Sequence, residues 1–480
     1  MVSLMLNIRA LHVSWGKMQG VFLHRRVFTQ MKKETVTTNQ ITEGVIWKQL
    51  LLFFFPIVLG TFFQQLYNTA DTIVVGRFVS KEALAAVGGS AAQIVGLIVG
   101  FFVGLASGAS VIISQFYGAK NRVQLNRALH TAYAFSIIGS IFITVLGILI
   151  APWMLELMHT PQETMADALL YLRIYFAGII FVFIYNVGSS ILRAMGDSRR
   201  PLYYLIVCSV VNIILDLLLI LVIPLGVLGA AIATLIAQAV SAVLVTVTLM
   251  YRTEGMKLCL SQIRMYKRML QSILKIGLPA GFEAIMYSIS NIIVQVSINN
   301  FGVDTMAAWT AYSKIDFIFW MINSAFGISV MTFVGQNYGA GKWDRIRRGT
   351  KICLGMALIS AVSVSIILMS AERFLFGIFV NDAGVVEIGI RMMNVIAPAY
   401  LLFAFIEVFS GALRAQGAVV VSTLITMVGI CVLRMIWVTL VAAHGTLEQV
   451  IICYPITWAA GALAMSIYYI YKQRKIFQAR

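Results

Sequence analysis

Apolar residues are grouped along this chain into stretches of about twenty or more, separated by short polar segments. Each stretch is long enough to cross a hydrocarbon layer about 30 Å thick as an α-helix. The pattern predicts twelve such helices, at about residues 48–74, 84–114, 128–151, 166–192, 201–223, 227–251, 269–298, 306–334, 352–376, 388–413, 418–443 and 448–471. The predicted fold class is therefore an all-α polytopic membrane protein with twelve transmembrane helices.

The loops between these helices alternate in charge. Basic residues follow the second, fourth, sixth and eighth helices and the last one, as in Lys120, Arg122 and Arg127 or in Lys342 and Arg345. The intervening loops are short or acidic. By the positive-inside rule, this alternation predicts that both termini lie in the cytoplasm.

The composition agrees with a membrane protein and excludes several other classes. Of 480 residues, 60% are apolar and 11% are charged, and the net charge of +17 is carried by the loops, so nucleic-acid binding is not expected. The five cysteines and five histidines are scattered singly, which argues against a disulfide framework or a zinc site. Because catalytic sites need clustered His, Asp or Cys near water, an enzyme is not expected either.

The chain contains an internal repeat. Gln115-Phe-Tyr-Gly-Ala recurs as Gln336-Asn-Tyr-Gly-Ala, and Leu192-Arg-Ala-Met-Gly recurs as Leu413-Arg-Ala-Gln-Gly, each pair 221 residues apart. Pro56 recurs as Pro279 at nearly the same interval. Two halves of six helices share one orientation, which is a known plan of membrane transporters with the pathway between the halves.

The repeat predicts the domain boundaries. Residues 47–252 and 269–471 form the two six-helix lobes, joined by a basic cytoplasmic linker at 253–268 and followed by a cytoplasmic tail at 472–480. Residues 1–46 form an N-terminal tail. Since Met31-Lys-Lys is a more natural start, residues 1–30 are interpreted as a mis-called start or as a disordered cytoplasmic tail.

Ionisable and amide side chains inside the predicted helices are the candidate functional residues, because they are costly in a bilayer. Asp71 shares one face of the first helix with Gln64 and Asn68, and Asn212 and Asp216 lie one turn apart in the fifth. The carboxylates of Asp71 and Asp216 and the carboxamides of Asn212 and Asn186, the last in the fourth helix, offer oxygen ligands suited to a sodium ion or a proton. Alternatively, these side chains form buried hydrogen bonds between helices. The same two interpretations apply to Tyr171.

The second half carries a different set. Its positions equivalent to Asn212 and Asp216 are Leu433 and Trp437, whereas acids occur at Glu283 and Glu407. These acids are expected to face a substrate cavity, together with Gln64, Asn68, Tyr287 and Asn291, and to bind a cationic substrate or a second proton. Alternatively, Arg434 neutralises one of them as a structural ion pair.

From about Trp47 to Lys472, the sequence resembles the multidrug and toxic compound extrusion (MATE) transporters, with local sequences similar to the bacterial DNA-damage-inducible-F-like and MepA-like branch. The motifs that carry the resemblance are Gln65-Leu-Tyr-Asn-Thr-Ala-Asp71-Thr, Gln115-Phe-Tyr-Gly-Ala119, Leu192-Arg-Ala-Met-Gly-Asp197, and Asn212-Ile-Ile-Leu-Asp216 followed by Gly226-Val-Leu-Gly-Ala-Ala-Ile-Ala-Thr234. The resemblance implies two lobes arranged as a V in a bacterial plasma membrane. It implies alternating access, with organic cationic or zwitterionic compounds exported against sodium or proton entry.

The same resemblance assigns roles to residues. The cation site of this branch lies in the N-terminal lobe and matches Asp71, Asn186, Asn212 and Asp216, with Tyr171 nearby, so a possible sodium ion would be bound there and no other cofactor is expected. Other branches use a glutamate eight residues beyond the proline of the seventh helix, where this chain has Tyr287. We expect a monomer whose partners are small-molecule drugs and membrane lipid. A lipid-linked saccharide flippase of the same superfamily is the alternative function.

Overall fold

The computed structural model describes residues 41–251, 256–441 and 445–478. The first six spans are α1 (Ile46–Phe78), α2 (Lys81–Gly88 and Ser90–Gly118), α3 (Arg122–Leu157), α4 (Gln162–Ala177 and Ile179–Ala194), α5 (Arg199–Asp216, continued as a π-helix over Leu217–Val222) and α6 (Val227–Tyr251). The described residues contain helices and no strands.

The second six spans follow the same order. They are α7 (Lys267–Asn299), α8 (Val303–Gly339), α9 (Trp343–Ser370, followed by the short helix Glu372–Gly377), α10 (Ala383–Ile396 and Tyr400–Ala415), α11 (Val419–Thr426 and Leu433–Ile436, each continued by a π-helix, Met427–Val432 and Trp437–Val441) and α12 (Leu447–Ile451 and Cys453–Gln478). Within the described residues, eleven spans qualify individually by length and hydropathy. The twelfth, α4, is a pair of helices bent by 50° around Gly178. The predicted all-α fold with twelve spans is confirmed.

The helices extend beyond the predicted apolar stretches. α9 begins at Trp343 rather than near residue 352, and α12 runs to Gln478, so most of the predicted tail at 472–480 is helical. Charged first and last turns can remain helical in water or at the interface, whereas hydropathy marks only the part that faces hydrocarbon. The predicted mis-called start at residues 1–30 lies outside the described residues.

The first helix of each half begins in the core of the other half. Leu50, Phe53 and Phe54 of α1 pack with residues of α8 to α10, and Phe54 stacks on Phe326 at 4.3 Å between ring centroids. Beyond Pro56, Val74 of α1 packs within the first half. The start of α7 packs in the same way against the first half, through Met269, Ile273 and Ile276. The two halves are therefore interlocked at the end of the bundle where the basic loops lie, which we call the basic end.

Glycines bring the two halves into close contact along α2 and α7. A Cβ atom on Gly104 would lie 2.6 Å from the backbone of Gly281, and one on Gly108 would lie 2.7 Å from the backbone nitrogen of Gly277. Such distances leave no room for a larger side chain. The glycines spaced four residues apart in α2 therefore form the packing surface on which α7 rests.

The two repeated motifs meet each other at the basic end. Gln115 at the end of α2 donates from Nε2 to the carbonyl of Ala415 at the end of α10 (2.8 Å). Its counterpart Gln336 in α8 donates to the carbonyl of Ala194 at the end of α4 (2.7 Å). Both donors and both acceptors are 221 residues apart, so the two bonds are related by the pseudo-symmetry of the halves. We call this reciprocal pair the glutamine clamp.

Candidate functional site

The first half contains a cluster of buried polar groups contributed by α1 and α5. Asp71, Asn212 and Asp216 are 9%, 0% and 0% exposed. One carboxylate oxygen of Asp71, both of Asp216 and both amide atoms of Asn212 have no hydrogen-bond partner among the described residues. Buried polar atoms are ordinarily paired, so a concentration of unpaired ones marks a site built for something other than internal hydrogen bonding. We call these three residues the acceptor cluster.

The local structure of α5 presents these groups to one side. Asn212 and Asp216 are one turn apart and therefore lie on the same face. The α-helix ends at Asp216 and continues as a π-helix over Leu217–Val222. Short π segments within helices occur frequently at functional sites, because they change the direction of side chains and loosen backbone hydrogen bonding.

Tyrosines surround the acceptor cluster. Tyr171, as predicted, is buried in α4 and lies within electrostatic range of both Asp71 and Asp216. Tyr67, one turn before Asp71 in α1, and Tyr175 belong to the same group of phenols, and Gln238 of α6 donates to Tyr67 Oη at 3.4 Å. Phenol oxygens can ligate a cation or shuttle a proton, so the structure adds Tyr67, Tyr175 and Gln238 to the candidate site.

Sequence reasoning missed these three residues, although a signal was present. Tyr67 precedes Asp71 by four residues, Tyr175 follows Tyr171 by four, and Gln238 is an amide within a span. Positions four apart share a helix face, so the two tyrosines could have been identified from their neighbours. Nothing in the sequence indicates that the amide of α6 lies beside α1.

Three predicted residues of the first half lie elsewhere. Gln64 and Asn68 share a face of α1 with Asp71 but are exposed. Asn186 donates to the carbonyl of Val182 in its own helix (2.8 Å). It lines a small apolar cavity between α2, α3, α4 and α7, bordered by Phe102 and Phe183. The structure therefore brings Asp71, Asn212 and Asp216 together with Tyr171 and gives Asn186 a separate environment.

The acids of the second half have partners of their own. Glu283 of α7 accepts two hydrogen bonds from Nη2 of Arg414, at 2.5 and 2.6 Å. The alternative in which Arg434 neutralises Glu283 does not hold, because Arg414, the arginine of the repeated motif in α10, pairs with this acid instead. Glu407 lies with its carboxylate against Gly327 of α8, where a Cβ atom would clash with it. Two acids and one arginine thus share this part of the second half.

Arg434 occupies a different environment. Its Nη1 donates to Asn291 Oδ1 at 3.0 Å, and its guanidinium lies over the ring of Tyr454, 4.3 Å from the centroid. The ring of Tyr287 is 5.8 Å away. Of the predicted cavity residues, Asn291 is therefore paired with Arg434, and Tyr287 lies within electrostatic range of Arg434, Glu283 and Glu407.

A further intramembrane acid, Asp316 of α8, was missed by sequence reasoning. It accepts hydrogen bonds from the hydroxyl of Tyr400 and from Trp320 Nε1 (2.5 Å to Trp320), and Tyr400 also bonds to Tyr312. Both of its carboxylate oxygens are thus satisfied by neighbouring side chains, unlike those of Asp216. Asp316 fits a structural hydrogen-bond network better than a cation site.

The described residues include no group of three or more His, Cys, Asp or Glu side chains suited to a metal ion. The acceptor cluster holds two carboxylates and an amide, which is a ligand set for a weakly bound monovalent cation or a proton rather than for a tightly held transition metal.

Comparisons with known proteins identify the chain's relatives. The family model MatE matches residues 56–218 and 279–440, one match in each half. The chain is 28% identical over 459 residues to the probable multidrug resistance protein YoeA of Bacillus subtilis, covering 93% of this chain and 99% of the relative. It is 23% identical over 415 residues to the multidrug export protein MepA of Staphylococcus saprophyticus, covering 83% and 91%.

A solved structure shares the fold. The outward-facing conformation of a multidrug resistance MATE family transporter of the MOP superfamily superposes with a TM-score of 0.85 at 22% identity, covering 92% of this chain and 99% of that one. At this identity, the similarity concerns the fold alone. It agrees with the twelve spans and their order.

Proposed function

Since the chain belongs to the MatE family of membrane transporters, we propose that it is a secondary active exporter of organic cationic or zwitterionic drugs, driven by the entry of sodium ions or protons. The acceptor cluster is the observation that carries this proposal. Four unpaired acceptor oxygens on three buried residues favour a positive charge nearby, because two carboxylates cannot cheaply remain charged and unpaired in a low dielectric. A coupling cation supplies that charge.

Competition between cation and drug follows from the same site. When the cation binds between Asp71 and Asp216, it neutralises the cluster and removes the attraction for a cationic drug. When the cation leaves, the negative charge returns and favours drug binding. Reciprocal coupling of this kind is sufficient for antiport by alternating access, provided that the two states open on opposite sides of the membrane.

Support for drugs as substrates comes from the relatives. YoeA and MepA are named for multidrug resistance and multidrug export. These names favour an exporter over the lipid-linked saccharide flippase. The orientation with both termini in the cytoplasm of a bacterial plasma membrane is part of the proposal, because the basic loops all lie at one end.

The test is transport by purified protein in vesicles. An imposed sodium gradient or an imposed pH gradient, each applied alone, should drive movement of an ethidium-like cation against its own gradient. Only one of the two gradients should be required if a single ion is coupled. The proposal fails if neither gradient drives transport, or if an anionic dye is moved as efficiently as the cationic one.

A further inference from the structure

The second half contains a cluster opposite in character to the acceptor cluster. Buried atoms without a hydrogen-bond partner among the described residues include Nε and Nη2 of Arg434, the hydroxyls of Tyr287 and Ser290, and Nε1 of Trp458. All five are hydrogen-bond donors, and two of them belong to a guanidinium that carries a full positive charge. We call the residues that carry these atoms the donor cluster.

The donor cluster is formed where three helices meet. Tyr287, Ser290 and Asn291 lie on one face of α7, since they are three and four residues apart. Arg434 reaches this face from the short α-helical segment of α11, which lies between two π-helices. Tyr454 and Trp458 lie one turn apart in α12, with ring centroids 5.5 Å apart, and Tyr454 contacts the guanidinium. These helices pack against one another around the arginine.

The charge of Arg434 lacks a counter-ion. The residue is 1% exposed, and its hydrogen-bond partner is the neutral amide of Asn291. No Asp or Glu among the described residues forms a salt bridge with it, and Glu283 pairs with Nη2 of Arg414 instead. Asp316 is within electrostatic range of Tyr454, but its two oxygens accept from Tyr400 and Trp320.

A buried unpaired guanidinium is costly, and stacking on aromatic rings offsets only part of that cost. The hydroxyl of Tyr287, whose ring lies 5.8 Å from the guanidinium, and Nε and Nη2 of Arg434 are unpaired donors from which a small spherical anion can accept together. We propose that the donor cluster is a binding site for a small monovalent anion of halide size, and that chloride occupies it. Asn291 is exposed and provides the side from which the anion enters.

The anion site has a consequence for the second half. Chloride bound beside Arg434 neutralises the charge of that arginine. Glu283, Glu407 and Arg414 together carry a net negative charge, and the neutralised arginine leaves that charge in the path of a cationic drug. The site holds α7, α11 and α12 together through charge rather than through apolar packing alone. It goes beyond the proposed function, because it predicts anion binding whichever cation drives transport.

Thermal unfolding of the purified protein tests the proposal through binding. At equal ionic strength, replacing gluconate by chloride or bromide should raise Tm by about 3 °C, and the rise should saturate with halide concentration, because a ligand that binds only the folded state stabilises it by mass action. Arg434→Gln should abolish the saturable rise. Arg348→Gln, an exposed arginine of the basic end, makes the same charge change and should retain it.

A milder variant keeps the test decisive if Arg434→Gln fails to fold. Tyr287→Phe removes one hydroxyl donor and leaves the arginine, so half-saturation should require about tenfold more chloride. Equal Tm in chloride and gluconate for the wild type would overturn the proposal, as would an unchanged chloride response in Arg434→Gln or Tyr287→Phe. Transport is not measured, so a negative result here leaves the proposed antiport intact.

Discussion

At the scale of single residues, the buried polar groups divide into those that are paired and those that are not. Asp316 and Glu283 both satisfy their carboxylates with neighbouring donors. Asp216 does not, and Asp71 leaves one oxygen unpaired. This difference, more than burial alone, distinguishes a residue that stabilises the bundle from one that is available to a transported ion.

Removing either acid of the acceptor cluster should strongly reduce active efflux. Asp71→Asn and Asp216→Asn each keep the shape of the side chain and remove its charge, so the coupling cation loses a ligand and drug export should fall about 5- to 150-fold. Drug resistance of cells that express each variant at wild-type levels measures this. Asp304→Asn, the same change at an exposed position at the start of α8, is the control and should retain resistance. Wild-type resistance in either cluster variant would contradict the assignment.

Residue identity alone did not determine these partners. Arg434 was an open candidate for neutralising Glu283, and the structure shows that Arg414 does so, because α10 rather than α11 brings an arginine to that part of α7. Spacing along a helix predicts which side chains share a face. It does not predict which helix packs against that face.

At the scale of helices, hydropathy predicted all twelve spans, because each must satisfy its own backbone within the bilayer. The irregular parts could not be read in this way. The bend of 50° in α4 and the π segments of α5 and α11 depend on packing against neighbouring helices, and these segments lie beside the acceptor and donor clusters. The repeated motifs were recognised from the sequence, but their function as contacts between the halves was not.

The glutamine clamp is expected to stabilise the state in which the basic end is closed. Each hydrogen bond contributes about 1 kcal/mol net, so Gln115→Ala or Gln336→Ala alone should shift the opening equilibrium about fivefold and the double variant about 30-fold. Spin labels on cysteines introduced at the exposed positions Val123 and Asp344, one in each half, would report the distance across this end.

The double variant should populate longer distances between the two labels than the wild type does. Gln262→Ala, which removes an exposed amide from the linker, is the matched control and should leave the distribution unchanged. An unaltered distribution in the double variant would show that the two bonds contribute nothing to closure. Unequal effects of the two single variants would show that the pseudo-symmetry does not extend to energetics.

At the scale of the whole molecule, two similar halves have acquired opposite electrostatic roles. The first half concentrates unpaired acceptors, and the second half concentrates unpaired donors around Arg434. The sequence already showed that the second half lacks the counterparts of Asn212 and Asp216. Only the structure shows what replaces them. The proposed coupling needs only one cation-binding half, because the interlocked cores and the clamp connect the two halves.

The proposed transport cycle requires that the acceptor cluster holds the coupling cation and releases it when a drug binds. The most direct measurement is the release of protons or sodium ions from purified wild-type protein when a cationic drug is added at equilibrium. We predict saturable release in the wild type and in Asp304→Asn, and its loss in Asp71→Asn and Asp216→Asn. Drug binding without release in the wild type, or release that persists in both cluster variants, would contradict the claim.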